Sequence, residues 1–175
     1  MTETSFGALG VPQHLVDALA ADGKTTAFPI QIGTLPDTLA GRDVLGRGKT
    51  GSGKTLAFSI PMAARLGARA GRGHRHPRGL VLAPTRELAT QIDATLAPLA
   101  KAAGMTTTTI FGGVNQNRQV QALRAGVDII VACPGRLEDL MKQKIVDLSA
   151  VEITVLDEAD HMADLGFFPG VTRIL

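Results

Sequence analysis

The sequence has no tryptophan or tyrosine and only one cysteine among its 175 residues. A single cysteine excludes a disulfide within the chain and is typical of a reducing compartment, so we expect a cytoplasmic protein. The first residues lack the basic and apolar segments of a signal peptide, and no apolar run approaches the roughly 20 residues that span a bilayer. We therefore expect no membrane partner. The 18 basic and 16 acidic residues nearly balance, which by itself says nothing about nucleic acid.

Short apolar runs alternate with longer amphipathic segments along the chain. The predicted strands lie at 43–46, 79–83, 105–111, 128–132 and 151–156. A short predicted helix lies within 6–21 with Pro12 at its start, and the other predicted helices lie at 27–39, 55–65, 86–101, 114–124 and 134–142. Strands that alternate with helices predict an α/β fold, in which helices flank a parallel β-sheet. Ligands of such sheets bind at the carboxyl ends of the strands.

One glycine-rich stretch, Gly48-Lys49-Thr50-Gly51-Ser52-Gly53-Lys54-Thr55, fits the pattern G-x-x-x-x-G-K-S/T. Glycines let backbone N–H groups point at phosphate oxygens, and a following helix adds donors and partial positive charge. Lys54 can reach the β- and γ-phosphates, and the Thr55 hydroxyl can bind Mg²⁺. A glycine-rich turn without a ligand is the alternative. The flanking strand and helix favour a nucleoside triphosphate site.

An acidic run follows the last predicted strand. A carboxylate at Asp157 is placed to hold the Mg²⁺ that bridges the β- and γ-phosphates. Glu158 is placed to orient or deprotonate the attacking water. A solvated acidic turn is the alternative, and the upstream phosphate pattern favours the catalytic interpretation.

Residues 65–79 combine arginines and glycines with no acidic residue, which predicts a mobile basic loop. The arginines are Arg65, Arg69, Arg72, Arg75 and Arg78. The sequence leaves open whether this loop is a solvated surface or a contact for nucleic acid. His74 and His76 lie in the same loop but form a weak ligand set, so we predict no metal there.

These residues and several others together resemble the DEAD-box RNA helicases. The resemblance covers nearly the whole chain, as the first of that family's two RecA-like domains, and it is carried by five ordered motifs. They are the phosphate pattern, Pro84-Thr85-Arg86-Glu87-Leu88-Ala89, Gly112-Gly113, Pro134-Gly135-Arg136 and Asp157-Glu158-Ala159-Asp160. Residues 23–31 also resemble the Q motif, with Phe6 as its isolated upstream aromatic.

The resemblance implies ATP and Mg²⁺ as cofactors and RNA as the partner. Gln31 would read the adenine edge and Phe6 would stack on the base, while Thr50, Gly51, Ser52, Gly53, Lys54 and Thr55 would hold the phosphates. Thr55 and Asp157 would bind Mg²⁺, and Lys54, Asp157 and Glu158 would be catalytic. Asp160 would couple nucleotide state to RNA. Contacts to the RNA backbone would come from Pro84, Thr85, Arg86, Gly112, Gly113, Pro134, Gly135 and Arg136, with little sequence specificity.

The implied function is unwinding or remodelling of short RNA duplexes, with ATP hydrolysis coupled to closure on RNA. A P-loop ATPase that does not act on RNA and a non-catalytic fragment that binds RNA or protein are the alternatives. The phosphate pattern carries Lys49 where a small or polar residue is usual, and Cys133 replaces a threonine that could cap a helix.

The chain ends at Leu175, before the Ser-Ala-Thr motif that the resemblance implies. Residues 1–40 would form the Q-motif region and residues 41–175 a RecA-like ATP-binding domain that is incomplete at its C-terminus. The second helicase domain would belong to the intact protein. We therefore expect these residues alone to be inactive or nearly so. We expect them to be either marginally stable or completed by a rearranged strand pairing or by strand exchange in an oligomer.

Overall fold

The computed structural model describes residue 5 and residues 7–21, 52–67 and 76–157. After a 3-10 turn at Gly7–Leu9, the helices are α1 (Gln13–Ala21), α2 (Ser52–Gly67), α3 (Arg86–Ala102), α4 (Asn117–Ala125) and α5 (Pro134–Lys142). The strands are β1 (Gly79–Leu82), β2 (Thr107–Ile110), β3 (Ile129–Ala132) and β4 (Ile153–Leu156). The predicted strand at 43–46 and the predicted helix at 27–39 lie outside the described residues. No helix within the described ranges is both long and apolar enough to cross a bilayer.

The chain divides into two compact units, of which the first contains residues 1–70 and 95–105. Within this unit, α1 buries Leu15 and Leu19 one turn apart, because apolar residues at this spacing share one face of a helix. The helix α2 begins at Ser52, inside the predicted phosphate pattern, and continues past Pro61 to Gly67. A Cβ built on Gly67 would lie 2.7 Å from the Cβ of Ala103, so only glycine fits at the end of α2.

The second unit, residues 71–94 and 106–175, contains a parallel sheet with the strand order β2-β3-β1-β4. All three pairings are parallel, as predicted from the alternation of strands and helices. Every residue of β1 and β3 is buried, which agrees with their unbroken apolar sequences. The outer strands β2 and β4 of the described sheet are partly exposed. The predicted oligomer stays a prediction.

One face of this sheet carries the core of the second unit. Leu80 and Ile130 are paired across β1 and β3, and α5 packs Leu137 and Leu140 against the same cluster. The cluster also contains Leu82, Ile110, Val120, Leu123, Val127, Ala132 and Val146. Full burial of one such side chain stabilises the fold by about 1.5–3 kcal/mol. The core therefore fixes α4 and α5 on the sheet, and with them the loops that precede each helix.

The position of Arg78 differs from the prediction that residues 65–79 form a mobile basic loop. Its side chain is 6% exposed, and its Nε donates to Glu152 Oε2 at 3.0 Å. Its backbone N–H donates to Asp128 O at 2.7 Å, and its carbonyl accepts from Glu152 N at 2.8 Å. Arg78 thus closes the amino-terminal edge of the sheet, and the prediction that this residue belongs to a mobile basic loop is wrong. Arg65 is exposed in the last turn of α2, and residues 68–75 lie outside the described residues.

Candidate functional site

The four described strands end side by side at the carboxyl edge of the sheet. Ile110, Ala132, Leu82 and Leu156 are the terminal residues, and they are aligned in this order across the sheet. The hydrogen bonds continue one residue further, from Cys133 N to Ile110 O at 2.8 Å, from Ala83 N to Ala132 O at 2.9 Å and from Asp157 N to Leu82 O at 2.9 Å. The segments after the strands therefore leave the sheet from one shared edge. Four of the predicted site segments start there, as the sequence predicts.

Asp157 is the acidic residue of this edge. It directly follows β4, it is 1% exposed, and the backbone hydrogen bond to Leu82 fixes it beside the end of β1. In the first unit, Thr55 lies in the first turn of α2 and is 6% exposed. Both residues supply oxygen ligands of the kind that Mg²⁺ prefers. The described residues contain no cluster of three or more His, Cys, Asp or Glu side chains that could hold a metal by themselves.

Several predicted nucleotide residues lie outside the described residues. They are Phe6, Gln31, Thr50, Gly51, Glu158 and Asp160. For Ser52, Gly53 and Lys54 the structure describes only the backbone, which forms the first turn of α2. A helix N-terminus leaves N–H donors without partners in the helix, and these donors suit a phosphate. The backbone of this turn therefore agrees with the predicted phosphate site, whose residue assignments stay predictions.

Thr85 and Arg86 lie where β1 passes into α3. The Thr85 hydroxyl accepts a hydrogen bond from Leu88 N at 3.2 Å, so Thr85 caps the N-terminus of α3. The Arg86 side chain is 54% exposed and lies 3.4 Å from Glu87 Oε1. Its Nη1 also lies 3.4 Å from the position that a Cβ on Gly113 would occupy. The cation of Arg86 is therefore placed beside the glycine pair that follows β2.

The glycines at the carboxyl edge of the sheet differ in whether the structure requires glycine at their positions. Gly113 has a φ of +81°, in the left-handed region that favours glycine. A Cβ on Gly112 or Gly135 would meet no heavy atom of the described chain within 4 Å, and both residues are exposed. Packing inside the described chain thus does not require glycine at positions 112 and 135. Open space over two glycines allows a ligand to approach the backbone closely.

Gln119 is a residue of this edge that the sequence interpretation missed. Its Nε2 donates to Phe111 O at 2.9 Å, and its Oε1 accepts from Arg136 Nη1 at 3.3 Å. Arg136 Nη2 also donates to Val114 O at 2.9 Å. The available signal was a polar residue one turn before Leu123, on the helix face that is otherwise apolar.

Cys133 occupies the N-cap position of α5 and makes no side-chain cap, while Pro134 begins the helix as predicted. The thiol is half-buried. This burial, with a smaller contribution from the Glu87 carboxylate, raises the pKa of Cys133 from 9.0 to about 11. The thiol is therefore protonated at neutral pH, and α5 lacks the cap that a hydroxyl would supply.

Comparisons with known proteins agree with this geometry. The sequence pattern of the DEAD/DEAH box helicases matches residues 28–175. The chain belongs to the DEAD/DEAH box helicase family. The fold of the RNA helicase Prp28 from Chaetomium thermophilum, in a crystal structure with ADP bound, matches this chain with a TM-score of 0.90 and 38% identity over 98% of the chain and 42% of that protein. The sheet is therefore that of a RecA-like domain of a DEAD-box helicase, as the resemblance implied.

Curated relatives of this helicase-family chain are longer. The ATP-dependent RNA helicase RhlB of Sodalis glossinidius is 45% identical over 174 residues, which cover 98% of this chain and 42% of the relative. The ATP-dependent RNA helicase RhlB of Xanthomonas oryzae pv. oryzae is 45% identical over 179 residues, which cover 100% of this chain and 31% of the relative. The chain thus spans less than half the length of these relatives.

Proposed function

We propose that this chain is the ATP-binding part of an ATP-dependent RNA helicase that unwinds or remodels short RNA duplexes. In the intact protein, ATP and RNA would bind together and close this part on a second helicase domain. The observation that carries the proposal is the shared carboxyl edge of the sheet, from which Asp157, the Thr85 segment, the glycine pair and the Pro134 segment all leave. The names of the relatives support the same activity.

The nucleotide half of the proposal rests on the N-terminus of α2 and on Asp157. The backbone N–H groups of the first turn of α2 and the Lys54 ammonium would bind the phosphates. Thr55 and Asp157 would hold Mg²⁺, which neutralises charge on the β- and γ-phosphates. Glu158 would accept a proton from the attacking water. Gln31 would select adenine through its paired donor and acceptor, with Phe6 stacked on the base.

The RNA half rests on the other three segments of the edge. Gly112 and Gly135 are exposed with open space above them, and the Arg86 cation stands beside Gly113. Backbone N–H groups and a cation suit sugar–phosphate oxygens, and such contacts carry no sequence information. The other predicted RNA residues are Thr85 and Arg136, which are half-buried, and Pro84 and Pro134, which are buried. We therefore propose general recognition of RNA, and the presence of a single cysteine supports a cytoplasmic location.

The test measures ATP turnover with and without single-stranded RNA, on this chain and on a version joined to the second helicase domain. We expect the two-domain protein to hydrolyse ATP and to do so faster with RNA. Turnover that RNA does not change would instead favour a P-loop ATPase that acts on something else. RNA binding without any turnover by the two-domain protein would favour a non-catalytic binding module.

A further inference from the structure

The loop that carries the glycine pair is held at both of its ends by side chains. Phe111 O accepts from Gln119 Nε2 at 2.9 Å, and Val114 O accepts from Arg136 Nη2 at 2.9 Å. These two carbonyls bracket Gly112 and Gly113 in the chain. The two donors are themselves joined, because Arg136 Nη1 donates to Gln119 Oε1 at 3.3 Å.

We propose that Gln119 is a positioning residue for RNA recognition. Through Arg136 it joins the glycine loop to the start of α5, so that Gly112, Gly113 and Gly135 form one fixed surface. This inference rests on the proposed function, since the surface matters only if RNA binds there. A loop that is already fixed loses less conformational entropy when its ligand binds. The hydrogen-bonded joint between Gln119 and Arg136 therefore strengthens RNA binding, although Gln119 itself does not contact the RNA.

A glutamine side chain is suited to this position by its chemistry. One amide supplies a donor for the Phe111 carbonyl and an acceptor for the Arg136 guanidinium, whereas an ionised carboxylate offers no donor. Gln119 is 6% exposed, and both ends of its amide are hydrogen-bonded. A buried amide that lost one partner would carry the cost of an unsatisfied polar group. Val120 and Leu123 of the same helix pack into the core, which fixes the position of Gln119 in turn.

The same contacts assign a different role to Arg136. Two of its donors are used inside the protein, on Val114 O and on Gln119 Oε1, and the residue is half-buried. Arg86, by contrast, is exposed, and its Nη1 lies 3.4 Å from the position of a Cβ on Gly113. Arg136 therefore acts on RNA through the loop that it holds, while Arg86 is placed to meet a phosphate.

The first experiment compares Gln119→Leu with Gln121→Leu, a matched control on the exposed face of the same helix. Hydrogen exchange of the loop amides is measured together with the binding of a fluorescent single-stranded RNA. We expect Gln119→Leu to speed loop exchange and to weaken RNA binding by about 2- to 10-fold, the range for one neutral hydrogen bond. Exchange in β3 and the affinity for ATP should stay at parent values, and Gln121→Leu should change nothing.

The second experiment tests Arg136 through the salt dependence of RNA binding. Arg136→Gln should speed loop exchange as Gln119→Leu does, and it should leave the slope of log affinity against log salt unchanged. The double variant should be no worse than the weaker-binding single variant, because both changes break one joint. A slope reduced by about 0.7 would mean that Arg136 contacts a phosphate directly and would overturn its positioning role.

Failure of this inference can be told apart from failure of the proposed function. If Gln119→Leu leaves loop exchange at the parent rate, Gln119 does not position the loop, whatever the RNA result. If loop exchange rises and RNA binding stays the same, the joint is structural only, and the inference is overturned. A parent protein joined to the second helicase domain that binds no RNA would refute the proposed function itself. Should Gln119→Leu fail to fold, Arg136→Gln breaks the same joint from its half-buried side.

Discussion

Arg78 Nε lies 3.0 Å from Glu152 Oε2, and the two residues also share a backbone hydrogen bond at 2.8 Å. With the bond from Arg78 N to Asp128 O, this pair ties the starts of β1 and β4 to the residue that precedes β3. The amino-terminal edge of the sheet is thus closed by internal contacts. The opposite edge carries the exposed glycines and Arg86, and it is the edge at which a ligand is expected.

Arg78→Ala should lower the free energy of unfolding by about 1–2 kcal/mol, because it removes the ion pair with Glu152 and the buried arginine side chain, while the backbone hydrogen bonds of residue 78 remain. The figure is below that of a fully buried pair, since the Glu152 side chain is 37% exposed. Urea unfolding measures the change, and Arg124→Ala, on the exposed end of α4, is the control. The salt dependence of RNA binding should be that of the parent chain. A shallower slope would mean that Arg78 contacts an RNA phosphate.

Much of the fold could be predicted from the sequence because local pattern and tertiary environment agree. The strands β1 and β3 are apolar throughout and buried throughout, and Pro134 marks the first residue of α5. The first residues of strands and helices were harder to predict where a side chain accepts the hydrogen bond of a nearby backbone N–H group. Thr106 N, for example, donates to Asp128 Oδ2, and β2 begins only at the next residue. Asn117 N donates to Asn115 Oδ1, and α4 begins at Asn117 rather than at Val114.

The candidate site could likewise be predicted only in part from the sequence. The sequence predicted that Pro84, Gly112, Cys133 and Asp157 follow strand ends, and this prediction is confirmed. Spacing could not predict that Gln119 joins Arg136 to a loop carbonyl, because those contacts depend on how two helices sit on the sheet. Nor could it show that Arg78 is buried, since its acidic partner lies 74 residues further along the chain.

Cys133 provides a prediction about pH. Because burial raises its pKa to about 11, the thiolate fraction at pH 8 should be about 100-fold below that of a thiol with a pKa of 9.0. Alkylation of Cys133 by iodoacetamide should be correspondingly slow in the folded chain. In urea its rate should rise to that of an exposed thiol. The folded pKa lies above the unfolded one, so the thiol's contribution to stability is complete below pH 9 and is lost as the pH rises towards 11. Cys133→Thr should remove this part of the pH dependence. Fast alkylation of the folded chain at pH 8 would contradict the assigned burial.

Glu158 provides a prediction about chemistry. In a two-domain protein, Glu158→Gln should reduce ATP turnover by about 10²- to 10⁴-fold, the usual contribution of a general base. Binding of ATP and Mg²⁺ should remain, since Lys54, Thr55 and Asp157 are unchanged. Lys54→Ala is the matched comparison and should weaken ATP binding itself. Turnover at the parent rate in Glu158→Gln would remove this residue from the role of general base.

The three glycines of the carboxyl edge should respond differently to alanine in unfolding experiments. Gly113→Ala should lower the free energy of unfolding by about 1–2 kcal/mol, because a Cβ is strained at a φ of +81°. Gly112→Ala should change it by less than about 0.5 kcal/mol, since the new methyl group meets open space. Gly135→Ala should raise it by about 0.5–1 kcal/mol, because Gly135 lies in the first turn of α5 and alanine favours helix.

RNA binding should rank the same variants in another order. Gly112→Ala and Gly135→Ala should both weaken binding, because their methyl groups fill the space through which the RNA backbone is proposed to approach. Gly135→Ala would then be a variant that is more stable and binds RNA less well, which loss of folding cannot explain. Thermal unfolding and RNA titration on the same preparations check both quantities, and Gly104→Ala, at an exposed turn after α3 with a φ of +78°, is the control for strain alone. Parent affinity in both Gly112→Ala and Gly135→Ala would mean that RNA does not contact this edge at its glycines.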